Sequence, residues 1–296
     1  MKIELQDIRY GYSYRHAEND VGYYQLPAFL EVGIFCHGLS GRTGGISVGG
    51  CTSLNLSFTR EGGARETVME NFCLFAAAAG IPYDTMVMDN FEHGTRVIAV
   101  DRAHAGAGYL SNALPRCDGL ITNDPAITLI TGHADCLPLY FCDPVQRCIG
   151  LAHAGWKGVF HNIAANVIAG MQSTYGTNPR DLLCGVGPCI CQDCFEVDAV
   201  LGEQFAERFT EAGCTKPGKA GKAHVDLARV AALEMLQMGV PAKQISCMDV
   251  CTYENPATLY SHRRDQGDTG GMAAFLRLPD ADVNAFMKIP TPTQLV

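Results

Sequence analysis

Short apolar runs, closely spaced and rich in β-branched residues, constrain the fold of this chain more than any other feature. Each run is too short for a helix, which is typical of buried strands. The runs cover residues 96–100, 119–122, 126–131, 137–141, 148–152, 182–186, 244–248 and 273–278. Apolar residues at helical spacing predict helices over 66–79, 159–175, 198–212 and 224–238. This interleaving predicts an α/β fold in which helices lie outside mixed β-sheets.

The chain contains no internal repeat and no long linker rich in Pro or Ser, so a single domain is expected. Residues 1–30 are polar and Tyr-rich, and we predict an N-terminal arm or opening strand there. Residues 31–280 would form the main domain. Residues 281–296 are expected to be a frayed tail.

The composition indicates a compact acidic protein. Of 296 residues, 47% are apolar and 18% charged, and the net charge is -9. Such a surface disfavours nucleic acid and anionic membranes as partners. The first residues lack the apolar stretch of a signal peptide, so we expect a cytoplasmic protein whose 14 cysteines are reduced.

Reactive side chains follow two of the predicted strands. His133, Asp135 and Cys136 lie in a turn after the run that ends at 131, and His153 ends a later strand. The sequence 153–158, His-Ala-Gly-Trp-Lys-Gly, then opens a helix, and such a turn favours anions. If the strands are neighbours, Cys136 and His153 form a nucleophilic pair or two metal ligands. From the residues alone, three interpretations stay open: a nucleophilic pair, two metal ligands, or a Cys136 thiol that is simply packed in the core.

Three weaker features remain ambiguous. His93 reads on its own as a loop histidine. The cysteines at 184, 189, 191 and 194 suggest either reduced thiols or a structural metal site, but only Cys191 and Cys194 have the C-x2-C spacing of zinc sites. Arg263 and Arg264 follow an apolar-aromatic segment read as a strand, where neighbours face opposite sides. Either one of the two arginines binds an anion, or both have structural roles, and the sequence leaves these alternatives open.

The order of these segments resembles the family of laccase-domain proteins, also labelled multicopper-polyphenol-oxidase-like proteins or peptidoglycan editing factors. The resemblance covers about residues 33–280. It is carried by the segments Arg-Thr-Gly-Gly-Ile-Ser at 42–47, Ser-Leu-Asn-Leu at 53–56, His-Gly at 93–94, Ala-Asp-Cys-Leu-Pro at 134–138, His-Ala-Gly-Trp-Lys-Gly at 153–158, Gly-Pro at 187–188, Phe-Glu-Val at 195–197, Cys-Thr at 251–252 and Arg-Arg-Asp at 263–265.

The resemblance implies a layered α/β sandwich with a catalytic zinc bound by His93, Cys136 and His153. It also implies phosphorolysis of adenosine, inosine, guanosine and methylthioadenosine, together with deamination of adenosine. The substrates would be purine nucleosides and phosphate, and the protein a monomer or small homo-oligomer. Candidate substrate and phosphate contacts are Arg42, Asn55, Lys157, Arg263 and Arg264.

The chain departs from the usual family pattern at three positions. Phe91 stands where the family often has Gln, His133 where it often has Thr, and Gly271 where an arginine is common. These departures leave substrate preference open.

Three other functions are alternatives for these residues. A copper polyphenol oxidase is disfavoured because none of the nine histidines forms a His-x-His pair, although two histidines and a cysteine suit blue copper. A cysteine hydrolase editing peptidoglycan precursors would use Cys136 as nucleophile and His153 as base. A partner-binding scaffold would need no convergent ligands.

Overall fold

The computed structural model describes residues 5–33, 36–60 and 64–279, and within them the chain forms strands and α-helices in alternation. The strands are β1 Arg9–Tyr10, β2 Ser13–His16, β3 Gly22–Gln25, β4 Cys36–Ser40, β5 Met86–Met88, β6 Val97–Ala99, β7 Gly119–Thr122, β8 Thr128–His133, β9 Leu137–Asp143, β10 Cys148–Ala154, β11 Leu183–Val186, β12 Glu196–Asp198, β13 Thr215–Pro217, β14 Lys222–Val225, β15 Ile245–Cys247 and β16 Met272–Arg277. The α-helices are α1 Pro27–Val32, α2 Arg65–Ala79, α3 Trp156–Phe160, α4 Ile163–Tyr175, α5 Ala199–Arg208 and α6 Leu227–Gln237.

Two mixed sheets pack face to face at the centre of the molecule. One sheet has the order β1-β15-β11-β9-β10-β7-β6, and the other the order β2-β3-β4-β16-β8-β5. Their facing side chains form one core, to which Leu151 contributes from β10 and Leu276 from β16. Alternation along the strands turns the intervening residues to the outer faces.

Helices cover both outer faces of this pair of sheets. Phe72 and Phe75 of α2 pack on Phe275 of β16, which points away from the other sheet. On the opposite side, α3, α4 and α6 cover the seven-stranded sheet, where Val167 is fully buried. The result is a four-layer α/β/β/α sandwich, so the predicted mixed α/β fold with flanking helices is confirmed.

The antiparallel hairpin of β9 and β10 positions the reactive residues. Its register pairs Leu137 with Ala154 and Pro138 with His153. Cys136, directly before β9, therefore lies beside the end of β10. On the other side of β10, Ala152 pairs with Gly119 of β7, which places Asp118 next to His153.

Three predicted elements differ from the structure. The helix expected over 159–175 is divided into α3 and α4, because Asn162 adopts a left-handed backbone with φ 63°. The helix expected over 224–238 begins at Leu227, since β14 occupies residues up to 225. The segment before Arg263 forms consecutive turns around Pro256, so the predicted strand there is wrong.

The described part of residues 1–30 contributes β1 to one large sheet and β2 and β3 to the other. The expected tail, 281–296, lies outside the described residues. Within the described ranges, no helix combines the length and apolarity needed to cross a bilayer.

Candidate metal and substrate site

Three side chains from distant parts of the sequence converge at one edge of the seven-stranded sheet. His93 follows β5 in a loop, Cys136 lies in the turn between β8 and β9, and His153 belongs to β10. Their donor atoms all lie within 4.8 Å of one another. Two imidazole nitrogens and one thiolate suit a transition metal such as zinc, with a further position left for another ligand.

Asp118 holds two of these three residues in place. Its carboxylate accepts hydrogen bonds from the backbone amides of Glu92, His93 and Gly94 at 3.2, 2.9 and 2.8 Å. It also lies 3.0 Å from Nδ1 of His153, whose other nitrogen is thereby left for a metal. Burial raises the pKa of Asp118, but the hydrogen bonds from His153 and the amides outweigh burial and lower this pKa below its usual value.

Asp135 fixes the turn that carries Cys136. Its φ of 86° lies in the left-handed region, which non-glycine residues seldom adopt. The carboxylate accepts hydrogen bonds from the hydroxyl of Thr252 at 2.6 Å and the backbone amide of Arg263 at 2.7 Å, and the Asp135 carbonyl accepts from the amide of Ile190. These contacts compensate for the unusual backbone and set the direction of the Cys136 side chain.

The turn after β10 requires glycine for reasons of space. A Cβ at Gly155 would lie 2.8 Å from Cδ2 of His93 and 3.3 Å from Sγ of Cys136. The backbone thus approaches the two ligands closely and leaves no room for a side chain between them.

Cys136 and His153 change each other's protonation in the metal-free chain. Burial raises the pKa of the Cys136 thiol, but the neighbouring His153 and His93 lower this pKa to about 6. Burial lowers the pKa of His153, whereas the Cys136 thiolate and Asp118 raise it to about 10. A thiolate is the form of cysteine that binds metals and attacks electrophiles, so this pairing prepares Cys136 for either role.

His133 is close to the triad but serves a different purpose. Its Nδ1 lies 3.1 Å from the carbonyl of Cys136 and its Nε2 lies 2.8 Å from the hydroxyl of Thr131. A carbonyl only accepts, so Nδ1 carries the proton and Nε2 accepts from Thr131. Burial, aided by the charge of His153, holds the pKa of His133 well below its usual value, so the ring is neutral and supports the Cys136 turn.

Two adjoining cavities, each of about 210 Å³, meet at His93 and Cys136. The first is lined by Ser57, Arg60, Phe91, Gly132, His133, Ala134, His153, His262 and Gly271 in addition to that pair. The second is lined by Ala134, Asp135, Trp156, Ile190, Phe195, Leu227, His262 and Arg263 in addition to that pair. The aromatic and charged groups on these walls are of the types suited to a heterocyclic base and an anion.

His262 and Arg60 form a pair at the rim of the first cavity. The guanidinium Nη1 of Arg60 lies 3.0 Å from Nδ1 of His262. Because arginine only donates, Nδ1 accepts and the proton of a neutral His262 lies on Nε2. Neither residue, nor Asp118, was singled out from the sequence. Their only signal is an isolated polar residue next to a predicted strand or turn, which is too common to identify a site.

Of the five predicted substrate and phosphate contacts, only Arg263 lines either cavity. Its guanidinium lies over the Phe195 ring, 5.3 Å from the centroid, and donates to the carbonyl of Glu196 at 2.9 Å. The exposed side chain of Arg263 therefore faces the second cavity from a fixed position.

The other four predicted contacts have different surroundings. Arg42 donates to the carbonyls of Thr52 and Pro256. Asn55 is buried, and its Oδ1 accepts from two backbone amides. Lys157 is exposed, with its ammonium 5.6 Å from the Trp156 ring centroid.

Arg264 donates to three backbone carbonyls and pairs with Asp265 at 2.8 Å. Because its donors already bond to the surrounding turns and to Asp265, this guanidinium stabilises the loop. The guanidinium of Arg42 likewise donates to backbone carbonyls, so a phosphate contact of either arginine remains a prediction.

The cysteines at 184, 189, 191 and 194, which the sequence left open between reduced thiols and a metal site, do not gather into one group. Cys184 belongs to β11 and lies in the core between the sheet and its helices, and Cys189 is buried. Burial raises the pKa of both thiols. Cys191 and Cys194 instead lie near Cys251.

Comparison with known proteins identifies the family and the fold. The chain matches the model of the family described as multi-copper polyphenol oxidoreductase laccase over residues 36–279. The solved structure of YlmD from Geobacillus stearothermophilus superposes with a TM-score of 0.81 at 29% identity, covering 87% of this chain and 96% of that one. The structure of the Bacillus licheniformis hypothetical protein YfiH gives a TM-score of 0.78 at 30% identity over 82% and 92%.

Sequence relatives agree with the structural ones. The chain is 32% identical to the purine nucleoside phosphorylase YlmD of Bacillus subtilis, over 82% of this chain and 88% of that protein. It is 36% identical to a purine nucleoside phosphorylase of Deinococcus radiodurans, over 82% and 89%. The chain thus has the laccase-domain fold. It belongs to the multi-copper polyphenol oxidoreductase laccase family, and the family predicted from its motifs is confirmed.

Proposed function

We propose that this chain is a cytoplasmic, zinc-dependent purine nucleoside phosphorylase that converts adenosine, inosine, guanosine or S-methyl-5′-thioadenosine and phosphate to a free base and a ribose 1-phosphate. The observation that carries the proposal is the meeting of His93, Cys136 and His153 at the junction of two cavities. The names of the Bacillus and Deinococcus relatives support the same reaction.

The residues around the triad fit a bound zinc. The three donors match its preference for nitrogen and sulfur, Asp118 supplies the carboxylate behind His153, and Gly155 leaves the space open. When bound, zinc would act as a Lewis acid and orient an oxyanion substrate. Copper is the less favoured occupant.

The protein groups that we assign to substrate lie on the cavity walls. Arg263 and Arg60 are the cations that face the two cavities, and we assign phosphate to them. His262, with its Nε2 proton directed away from Arg60, is the proposed donor to the purine as the glycosidic bond breaks. Phe91 and Phe195 offer apolar faces on which a purine ring can pack.

We propose deamination of adenosine to inosine as a second activity of the same site. A zinc held by the triad could serve both reactions, since it could orient phosphate for attack at C1′ of the ribose or activate water for attack at C6 of adenine with release of ammonia, the nucleoside being bound in a different orientation in each case. The choice between the two would depend on phosphate concentration.

The test is chromatography of products from protein of known zinc content incubated with adenosine, with and without phosphate. We expect adenine and ribose 1-phosphate when phosphate is present, and inosine in its absence. Cys136→Ala should lose zinc from the triad and both activities, whereas Cys73→Ala, which changes an exposed cysteine away from the site, should retain them.

Two results would contradict the proposal. If zinc-loaded protein forms neither product, the nucleoside assignment fails. If activity on another substrate survives removal of the metal but not Cys136→Ala, the residue acts as a nucleophile and the hydrolase alternative gains support.

A further inference from the structure

A second group of metal-binding side chains lies in the turns around residues 191 and 251. It consists of Cys191, Cys194, Cys251 and Glu254, and one donor atom of each lies within 4.8 Å of the others. This cysteine cluster shares no residue with the triad of His93, Cys136 and His153.

Two short motifs from separate segments build the cysteine cluster. Cys191 and Cys194 lie between β11 and β12 with two residues between them, and Cys251 and Glu254 follow β15 with the same spacing. Backbone hydrogen bonds between Cys189 and its partners at 250 and 252 hold the two segments side by side. Structural zinc sites are usually built from two turns, each of which supplies two ligands separated by a few residues.

The local geometry suits a tetrahedral ion. The backbone amide of Cys191 donates to Sγ of Cys251 at 3.4 Å, and Sγ of Cys194 lies 3.6 Å from a carboxylate oxygen of Glu254. Zinc–sulfur bonds of about 2.3 Å arranged tetrahedrally place sulfur atoms roughly 3.8 Å apart, so small side-chain adjustments would complete the site.

Charge also favours a cation at this point. When they bind a metal, three thiolates and a carboxylate bring four negative charges together, and a divalent cation offsets part of their repulsion. A cavity of about 450 Å³ opens beside the cluster, and its walls also include Asp193, Asp226 and Asp249, with Arg229 as a cation. This cavity gives a metal ion a route from solvent.

We propose that Cys191, Cys194, Cys251 and Glu254 form a second, structural zinc site that clamps the 187–197 loop to the turn at 251–254. Both segments also reach the first site. Ile190 and Phe195 line its second cavity, and Thr252 donates to Asp135 beside Cys136. A metal in the cysteine cluster would therefore order one wall of the substrate site without touching substrate.

The alternative state of this cluster is a disulfide between Cys191 and Cys194, whose sulfur atoms lie close together in the reduced chain. A disulfide would remove two of the four ligands. Protein purified with reductant, followed by thiol titration and mass spectrometry without reduction, separates the two states.

The first experiment measures zinc per chain. We expect two equivalents in the unmodified protein, one in Cys136→Ala, one in Cys194→Ser, and none in the double variant. Cys73→Ser is the matched control and should keep both. If the cysteine cluster holds no metal, Cys194→Ser leaves the zinc content unchanged, and the inference fails whatever the fate of the nucleoside proposal.

The second experiment identifies the ligands spectroscopically. Among the residues that the structure describes, the cluster is the one metal-binding group of apo Cys136→Ala that offers cobalt(II) several cysteine thiolates. A strong sulfur-to-cobalt charge-transfer band and intense tetrahedral bands are expected. Glu254→Gln replaces an exposed side chain and should fold normally while weakening cobalt binding about tenfold or more. Absence of the charge-transfer band, or a Cys191–Cys194 disulfide in reduced preparations, overturns the proposal.

Discussion

The carboxylate of Asp118 lies 3.0 Å from Nδ1 of His153 and also accepts the backbone amide of His93 at 2.9 Å. One buried acid thus orients two histidines that are far apart in the sequence. Their spacing is set by the protein before any metal arrives. A carboxylate that accepts a hydrogen bond from a metal-binding histidine fixes the tautomer of that histidine and raises its basicity.

Asp118→Asn should therefore weaken metal binding at the triad by about 10- to 100-fold, because an amide cannot accept all four donors. Competition with a chromophoric chelator measures this change. Asp84→Asn alters an exposed aspartate elsewhere and should leave the affinity unchanged. Equal affinities in the two variants would show that the Asp118 contact does not orient the ligands.

Gly155→Ala should displace His93 and Cys136 from each other, since the added methyl would lie 2.8 Å from the His93 ring. We expect loss of triad zinc with the fold retained, measured by metal analysis beside circular dichroism. Gly170→Ala is the control, because its nearest side-chain neighbour, Ile121, is at an ordinary 3.4 Å. Undiminished zinc in Gly155→Ala would refute the steric argument.

The two adjacent arginines should respond differently to the same substitution. Arg263→Met should raise the KM for phosphate about tenfold, because one charge-assisted contact is lost. Arg264→Met should lower the free energy of unfolding by about 1–3 kcal/mol, because three backbone carbonyls lose their donor. Kinetics and denaturant titration of both variants provide the comparison. A KM effect confined to Arg264→Met would reverse the assignment.

Glu234 should make the protein less stable as the pH rises. Burial raises its pKa to about 8 in the folded chain, while one oxygen accepts the amide of Ala164 at 3.1 Å. The unfolded chain loses this proton near pH 4.5, so between there and pH 8 the folded state binds more protons and stability falls.

Glu234→Gln keeps the hydrogen-bond acceptor and removes the titration. As the pH rises within this range, the free energy of unfolding of the unmodified protein should fall relative to that of Glu234→Gln by about 1.4 kcal/mol per pH unit. Urea titrations at several pH values test the difference. A pH-independent difference would show that Glu234 does not stay protonated in the fold.

The sequence predicted the layers of the fold well, because apolar period and length decide strands and helices in a buried sheet. It could not predict the division of the helix at Asn162, since a left-handed residue in a helical pattern depends on the packing around it. The turns before Arg263 were misread for a related reason. Their structure is held by hydrogen bonds from Arg264 to the carbonyls of Thr252 and Leu259.

Prediction of the site depended on more than spacing. Neighbouring strands suggested that Cys136 and His153 meet, but nothing local distinguishes His93 from an ordinary loop histidine. It reaches the triad only because the amides around it bind Asp118, which is a tertiary relationship. The predicted phosphate contacts have a similar difficulty, as the sequence cannot show whether a guanidinium already donates to backbone carbonyls.

The loop at 187–197 contacts both the second cavity and the cysteine cluster, since Ile190 and Phe195 line that cavity while their sequence neighbours Cys191 and Cys194 lie in the cluster. Alkylating reagents that attack the half-exposed Cys194 would displace the neighbouring Phe195 and so distort the wall of the second cavity without entering it. Inhibition by such reagents would then mimic the labelling of a nucleophile. For this protein, inactivation by iodoacetamide cannot by itself identify Cys136 as the residue that attacks.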